Sequence, residues 1–202
     1  VTVILSEMGW VRAAKGHDIA VESLSFKGSD KYLTSAQGKS NQPVYFLDST
    51  GRSYSLLANT LPSARGQGEP LTTKLNPPAG ASFKAVVMGE SSQAVILATD
   101  ASYGFVTTLG DLEAGNKNGK AVVTVPEGAN IFPPLFVNDV DNDFLAIVSS
   151  EGRLLVFAVK DLPKLSKGKG NKLITLDANE SLKSWVICQA GNKLVINTSN
   201  RH

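Results

Sequence analysis

A short apolar run, a small polar turn and a second apolar run recur along this chain, and that repetition limits its possible folds more than any other feature. The copies are Val3–Val11, Val44–Arg52, Val95–Phe105 and Leu145–Arg153, and a fifth begins at Leu194 and reaches Arg201. Gly9, Gly51, Gly104 and Gly152 mark the turns, 42, 53 and 48 residues apart, and Asn200 replaces the glycine in the last copy. Glycine, and after it asparagine, best tolerates a positive φ, so each copy predicts a β-hairpin whose turn needs that conformation.

A second element keeps a stricter period. After the second, third and fourth hairpins a leucine leads into a glycine-rich loop: Leu61–Gly68, Leu112–Lys120 and Leu162–Lys172. Gly68, Gly119 and Gly170 stand 51 and 51 residues apart. Strands are predicted to follow at Leu71–Leu75, Ala121–Val125 and Leu173–Leu176, and each unit closes on an apolar run, Phe83–Met88, Ile131–Val137 or Trp185–Cys188. Leu109–Ala114 and Val159–Leu165 are each long enough for one helical turn. Ser35–Pro43 reads as an inter-blade loop, Asn76–Gly80 and Pro133-Pro134 as rigid connectors, and Asp177–Ser181 as an acidic loop.

About four short strands in about 50 residues is the signature of a propeller or array. The expected fold is all-β, a propeller-like ring of about four four-stranded blades plus a partial fifth, with the ring open or incomplete. The blades are expected at roughly 1–40, 41–90, 91–140 and 141–190, with the start of a fifth at 191–202, in a single domain spanning 1–202. Trp10, Phe46, Phe105, Phe157 and Trp185 are expected between blades. The chain opens inside an apolar run, Val1–Leu5, and is read as a domain excised from a longer protein.

Most candidate sites of chemistry fail on residue type or spacing. His17 and His202 are the two histidines, and Cys188 is the lone cysteine, so a zinc set and an internal disulfide both lack ligands. Asp139-Val-Asp141-Asn142-Asp143 imitates the start of a calcium loop, but Phe144 and Ser150 stand where that loop needs Gly and Glu. Gly115–Lys120 is one residue short of a phosphate loop and is followed by Ala121, and Gly38-Lys39-Ser40 has Leu33 where a glycine is required. No cofactor, metal or catalytic residue is expected in this domain. No apolar stretch approaches a membrane span, and the expected location is cytoplasmic.

What remains is basic, glycine-rich loops at a fixed phase of a repeat. The net charge is only +2, so distribution matters more than the total. Loops of this kind aim backbone N–H groups and cations at phosphates. The candidate contacts are Arg12, Lys15 and Lys27 in the first unit, Arg65 in the second, Lys117 and Lys120 in the third, and Lys164, Lys167, Lys169 and Lys172 in the fourth. The alternatives are a propeller used for protein contacts without DNA binding, which the low net charge permits, and a propeller enzyme or sugar-binding domain, which the lack of a convergent acidic or histidine cluster disfavours.

Five stretches point further: Gly9–His17, Lys39–Pro43, Asp48–Tyr54, Leu61–Glu69 and Asp161–Lys172. Together they closely resemble the family of C-terminal domains of ParC, from bacterial topoisomerase IV of the gammaproteobacterial type. The related gyrase A domain is similar in the repeat only. Gyrase carries a Gln-Arg-Arg-Gly-Gly-Lys-Gly box, and the loops at 63–69 and 165–170 are only degenerate versions of it, which argues for the topoisomerase IV type and against tight DNA wrapping. The resemblance implies a β-pinwheel whose blades exchange strands. It implies a non-catalytic domain that binds and bends double-stranded DNA and presents the transported segment for decatenation and supercoil relaxation. It also implies that the parent enzyme joins a ParC dimer to the B subunit of topoisomerase IV, using ATP and Mg in other domains. The isolated domain is then expected to be monomeric and to work at the nucleoid. The catalytic tyrosine belongs upstream, and Tyr32, Tyr45, Tyr54 and Tyr103 do not correspond to it.

Overall fold

In a computed structural model, residues 1–197 are described, and they form fifteen strands. In chain order these are β1 (Thr2–Ser6), β2 (Trp10–Ala14), β3 (Tyr32–Gln37), β4 (Pro43–Asp48), β5 (Arg52–Leu57), β6 (Glu69–Pro70), β7 (Phe83–Met88), β8 (Ala94–Thr99), β9 (Tyr103–Thr108), β10 (Lys120–Ala121), β11 (Leu135–Val137), β12 (Phe144–Ser149), β13 (Leu154–Ala158), β14 (Asn171–Lys172) and β15 (Leu182–Cys188). Short 3-10 turns, at Leu109–Leu112 and Val159–Asp161 among others, follow the hairpins.

The sheets are the blades of a four-bladed pinwheel, ordered β3-β1-β2-β6, β10-β5-β4-β7, β11-β8-β9-β14 and β13-β12-β15. Every strand pairing is antiparallel. Each of the first three blades combines its own hairpin, its own closing strand and a two-residue strand from the following unit. Among the described residues the fourth sheet has three strands, not the four expected. Residues 194–197, at the start of the expected fifth hairpin, form no strand, and the rest of that hairpin lies outside the described residues.

The apolar runs are continuous because the middle blades are buried on both faces. In β4, Val44 and Phe46 pack toward the first blade, while Tyr45 and Leu47 pack toward the third. In β8, Val95 and Leu97 face back to the second blade, and Ile96 and Ala98 face the fourth. Burying a side chain of this size is worth about 1.5–3 kcal/mol, so each strand contributes to two cores. Phe46 and Phe105 are fully buried there, and Phe157 and Trp185 are half-buried against the third core. Trp10 departs from expectation: it is half-buried outside these clusters, with the Lys27 ammonium 4.8 Å from its ring centroid. The far face of the fourth blade leaves Leu154, Val156 and Val186 partly open.

The closing strands converge. β3 packs on β7 and β11 on β15, and a cavity is lined jointly by Thr34–Gln37, Ala85–Met88 and Pro133, Pro134 and Phe136. This end of each sheet therefore faces the axis, and the donated strands β6, β10 and β14 lie at the perimeter. Ser35–Gln37, expected in a loop, belongs to the axial strand β3.

Two glycine positions need their geometry explained. At the hairpin turns Gly9, Gly51 and Gly152 have φ of 81°, 88° and 76°, but in the third unit the left-handed residue is Ser102, at 71°. The turns therefore stand 42, 51 and 50 residues apart, more regular than the glycines suggest. Ser102 holds this costly conformation because its Oγ donates to Ile174 O (2.7 Å) and accepts from Ile174 N–H (2.9 Å). Gly104 lies in β9 instead. The strictly periodic glycines answer to the preceding blade. A Cβ on Gly68 would meet Val11 O at 2.3 Å, on Gly119 Ser53 O at 2.7 Å, and on Gly170 Gly104 O at 2.1 Å, and all three have positive φ. Three bonds then repeat the same crossing: the N–H groups of Leu71, Val122 and Leu173 donate to the turn carbonyls of Gly9, Gly51 and Ser102, at 2.9, 3.0 and 2.8 Å. The predicted strands beginning at Leu71, Ala121 and Leu173 are thus shortened and shifted, since pairing ends where these leucine or valine side chains turn into the core.

In the fourth unit Arg153 clasps the hairpin turn to the segment that leads into β15. Its guanidinium pairs with Glu180 and donates to Thr175 O at 2.7 Å. The bonds from Arg153 and from the Asp177 N–H hold the Glu180 carboxyl down at about 2, against an ordinary 4.5.

Gly170→Ala is expected to cost about 3 kcal/mol, from the left-handed strain and the backbone clash together. Gly115→Ala, in open space, should stay within about 0.5 kcal/mol. Chemical denaturation of the two variants measures the difference. Glu180 is depressed in the folded chain, so its stabilisation is complete above about pH 4.5 and is lost as the pH falls toward 2. Glu180→Gln should lower the melting temperature at neutral pH, with the gap to the unmodified chain closing across that acidic window.

Candidate nucleic-acid interface at the blade seams

Each glycine-rich segment leaves its own unit and lies across the edge of the preceding blade, as a strap. The first strap is fixed by Ala13 N–H donating to Pro62 O (2.8 Å) and Ala64 N–H donating to Ala13 O (3.0 Å). The third is fixed in the same way, by Val106 N–H to Pro163 O (2.9 Å) and Leu165 N–H to Val106 O (3.0 Å). The second has Glu113 in place of the proline, and there Ala114 N–H donates to Ser55 Oγ at 2.9 Å. The Leu-Pro pairs seen in sequence are therefore docking residues: leucine fills the seam, and proline offers a carbonyl with no N–H to satisfy.

A shallow groove opens between blade and strap at each of these seams. Ala13, Ala14, Lys15, Ser63, Ala64 and Arg65 line the first. The second includes Ser55, Lys74, Asn116 and Lys117, and the third Thr107, Thr108, Asp111, Lys164 and Leu165. The three grooves occupy one phase of the repeat at the perimeter, where a polyanion could run from one to the next.

The candidate cations divide into two groups. Lys15, Lys27, Arg65, Lys117, Lys164, Lys167, Lys169 and Lys172 are exposed, and none takes part in an ion pair among the described residues. Lys27 and Lys169 sit over aromatic rings, the Lys169 ammonium 3.8 Å from the Tyr103 ring centroid. Arg12 and Lys120 are engaged internally. Arg12 is 3% exposed, and its guanidinium donates to Gly66 O (2.9 Å) and Ser25 O (2.7 Å) and stacks 4.7 Å from Phe26. Burial lowers its pKa. Lys120 Nζ donates to Asp111 O at 2.8 Å. Arg52 repeats the role of Arg12 one blade on, donating to Asn118 O and Gly119 O, both at 2.9 Å. Sequence could not separate clasping from free cations, because the distinction depends on carbonyls that only the folded loops bring into reach.

Lys74 escapes a reading of the sequence because it lies after the strap, outside the glycine-rich signal. It joins Lys117 in the second groove but also pairs with Glu69 at 3.2 Å. Asp111 brings an opposing charge to the third groove. Burial pushes its carboxyl up, but bonds from Thr107 and Thr108 and the nearby Lys120 outweigh that and hold it below the ordinary range. His17 is exposed, beside Gly38 O at 3.3 Å. No group of three or more His, Cys, Asp or Glu side chains placed to hold a metal occurs among the described residues, and no helix is long and apolar enough to cross a membrane.

Since Arg12 ties the strap to residues 20–30, Arg12→Met should act first on stability. The loss expected is about 2 kcal/mol, for two charge-assisted bonds and the carbonyls they leave unpaired. A denaturation curve gives this directly, and hydrogen exchange should locate the loosening in residues 63–68.

Comparison with known proteins agrees with this architecture. A family described as the DNA gyrase C-terminal domain, a beta-propeller, matches residues 93–138 and 143–189. The A subunit of DNA topoisomerase 4 from Pseudomonas aeruginosa is 51% identical over 207 residues, covering 100% of this chain and 28% of that protein. The Haemophilus influenzae counterpart is 56% identical over 179 residues, covering 88% and 24%. The chain thus spans about a quarter of the length of these relatives. Among solved structures, the E. coli ParC C-terminal domain superposes with a TM-score of 0.87 at 49% identity, over 94% of this chain and 79% of that one. The DNA gyrase A C-terminal domain, at 12% identity and a TM-score of 0.67 over 92% and 64%, shares the fold. With near-half identity across most of a solved domain and the same pinwheel, the chain belongs to the family of topoisomerase IV ParC C-terminal domains.

Proposed function

We propose that this domain binds duplex DNA along its perimeter and bends it, presenting a DNA segment to the catalytic parts of a type II topoisomerase for decatenation and supercoil relaxation. The observation that supports this reading is the recurrence of exposed, unpaired cations on straps crossing three successive seams. Contacts of this kind position a duplex without reading its sequence, because they address phosphates. A duplex following cations spread along a curved rim must bend. Bending a site of 20–30 base pairs by 40–90° costs about 1–6 kcal/mol, which several phosphate contacts can offset. The domain supplies no catalytic residue in this reading. Strand breakage, ATP and Mg belong to other domains of the assembly, formed by two ParC chains with the B subunit in the bacterial cytoplasm.

A second reading, a module for protein contacts alone, draws on the low net charge of +2 and on the partly open apolar face at Leu154, Val156 and Val186.

A salt series separates the two. The 202-residue chain should bind a short duplex at low ionic strength and lose affinity linearly on a logarithmic salt scale, as condensed counterions are released. The triple variant Lys117→Glu, Lys167→Glu and Lys172→Glu should weaken binding across unrelated sequences and reduce the slope by about three. Absence of duplex binding at low salt would remove this reading in favour of the protein-contact module.

A further inference from the structure

We infer that the groove of the first seam, between Lys15 and Arg65, is the principal phosphodiester site of the perimeter, ahead of the lysine-rich strap of the fourth unit. This rests on the duplex-binding reading and adds to it which seam holds the backbone most tightly.

Counting cations along the chain favours the fourth unit, with Lys164, Lys167, Lys169 and Lys172. At the grooves themselves the order reverses, because Lys167 and Lys172 lie outside the lining of the third groove. Lys164 shares its groove with the Asp111 carboxylate, and Lys169 is drawn over the Tyr103 ring at 3.8 Å. In the second groove Lys74 is paired to Glu69 at 3.2 Å, leaving Lys117 alone. The first groove has two cations on its lining and no acid. Lys15 follows the end of β2 and Arg65 lies on the strap, so the two come from different units.

The rest of the groove suits a phosphate. Ala13, Ala14 and Ala64 keep its floor low. Ser63 Oγ accepts from Arg65 N–H at 3.3 Å, which leaves its hydroxyl hydrogen free to donate. The walls are joined by the two backbone bonds between Ala13 and residues 62 and 64, and the buried Arg12 guanidinium holds Gly66 from beneath. A guanidinium and an ammonium on the lining of one groove, with no acid among its lining residues, concentrate positive potential where a phosphodiester enters, and a guanidinium can bind it through two parallel N–H bonds.

The test compares two double variants of the 202-residue chain on one short blunt duplex across a salt series. Lys15→Ala with Arg65→Ala should lower affinity by about tenfold or more and reduce the salt slope by about one, the share of a single phosphate. Lys167→Ala with Lys169→Ala should lower it by no more than about threefold. If both groups grip one phosphate, the single losses should not add up to the double loss. Arg65→Lys should keep the slope while losing part of the affinity, because charge remains and the fork is gone. If the Lys167/Lys169 variant loses more than the Lys15/Arg65 variant, the first-seam assignment fails and duplex binding stands. If the unmodified chain does not bind the duplex at low salt, both fail.

Discussion

The bond from a strap N–H to the turn carbonyl of the previous unit, made by Leu71, Val122 and Leu173 to Gly9, Gly51 and Ser102, is the contact on which the remaining architecture turns. Each of the first three hairpins turns at a left-handed residue whose carbonyl would otherwise go unsatisfied at a buried seam. The next unit satisfies it and drops an apolar side chain into the seam in the same step. A blade is therefore completed by chain from elsewhere, and no unit is a self-sufficient module. Stability is divided among seams, as in other repeat architectures, rather than held in one central core.

This crossing also decides where charge can go. A strap lying flat on the preceding blade has one side committed to backbone bonds and glycine contacts, and its other side faces solvent at the perimeter. Residues such as Lys117 and Lys167 are carried outward because the periodic glycines of the same loops press inward. The glycines at 68, 119 and 170 thus serve packing, and the cations between them are the part of the loop left over for a partner. Arg12 and Arg52, a few residues back on the preceding blade, are consumed in holding the strap down.

The seams are alike in backbone and unlike in charge. The first sets two cations against no acid, the second pairs one of its lysines with Glu69, and the third contains Asp111. On the proposed reading a duplex laid across them is held unevenly, with the repeated scaffold setting its path and side chains at a few positions setting the strength at each point.

The repeat and the all-β character were legible in the chain itself, because a hairpin is a local structure. The phase of the straps was legible too, since Gly68, Gly119 and Gly170 keep one spacing. Three matters were settled only by tertiary contacts. Ser102 rather than Gly104 takes the left-handed turn, because Ile174, 72 residues away, supplies the bonds that offset its strain. Arg12 and Lys120 spend their donors on backbone carbonyls, a fate that composition cannot distinguish from a free surface charge. The charge balance of the third groove follows from assembly as well, because folding brings Lys164 of the next unit into the groove that Asp111 lines. Local preferences are written in neighbouring residues, whereas electrostatics and the satisfaction of buried groups depend on which distant segments meet.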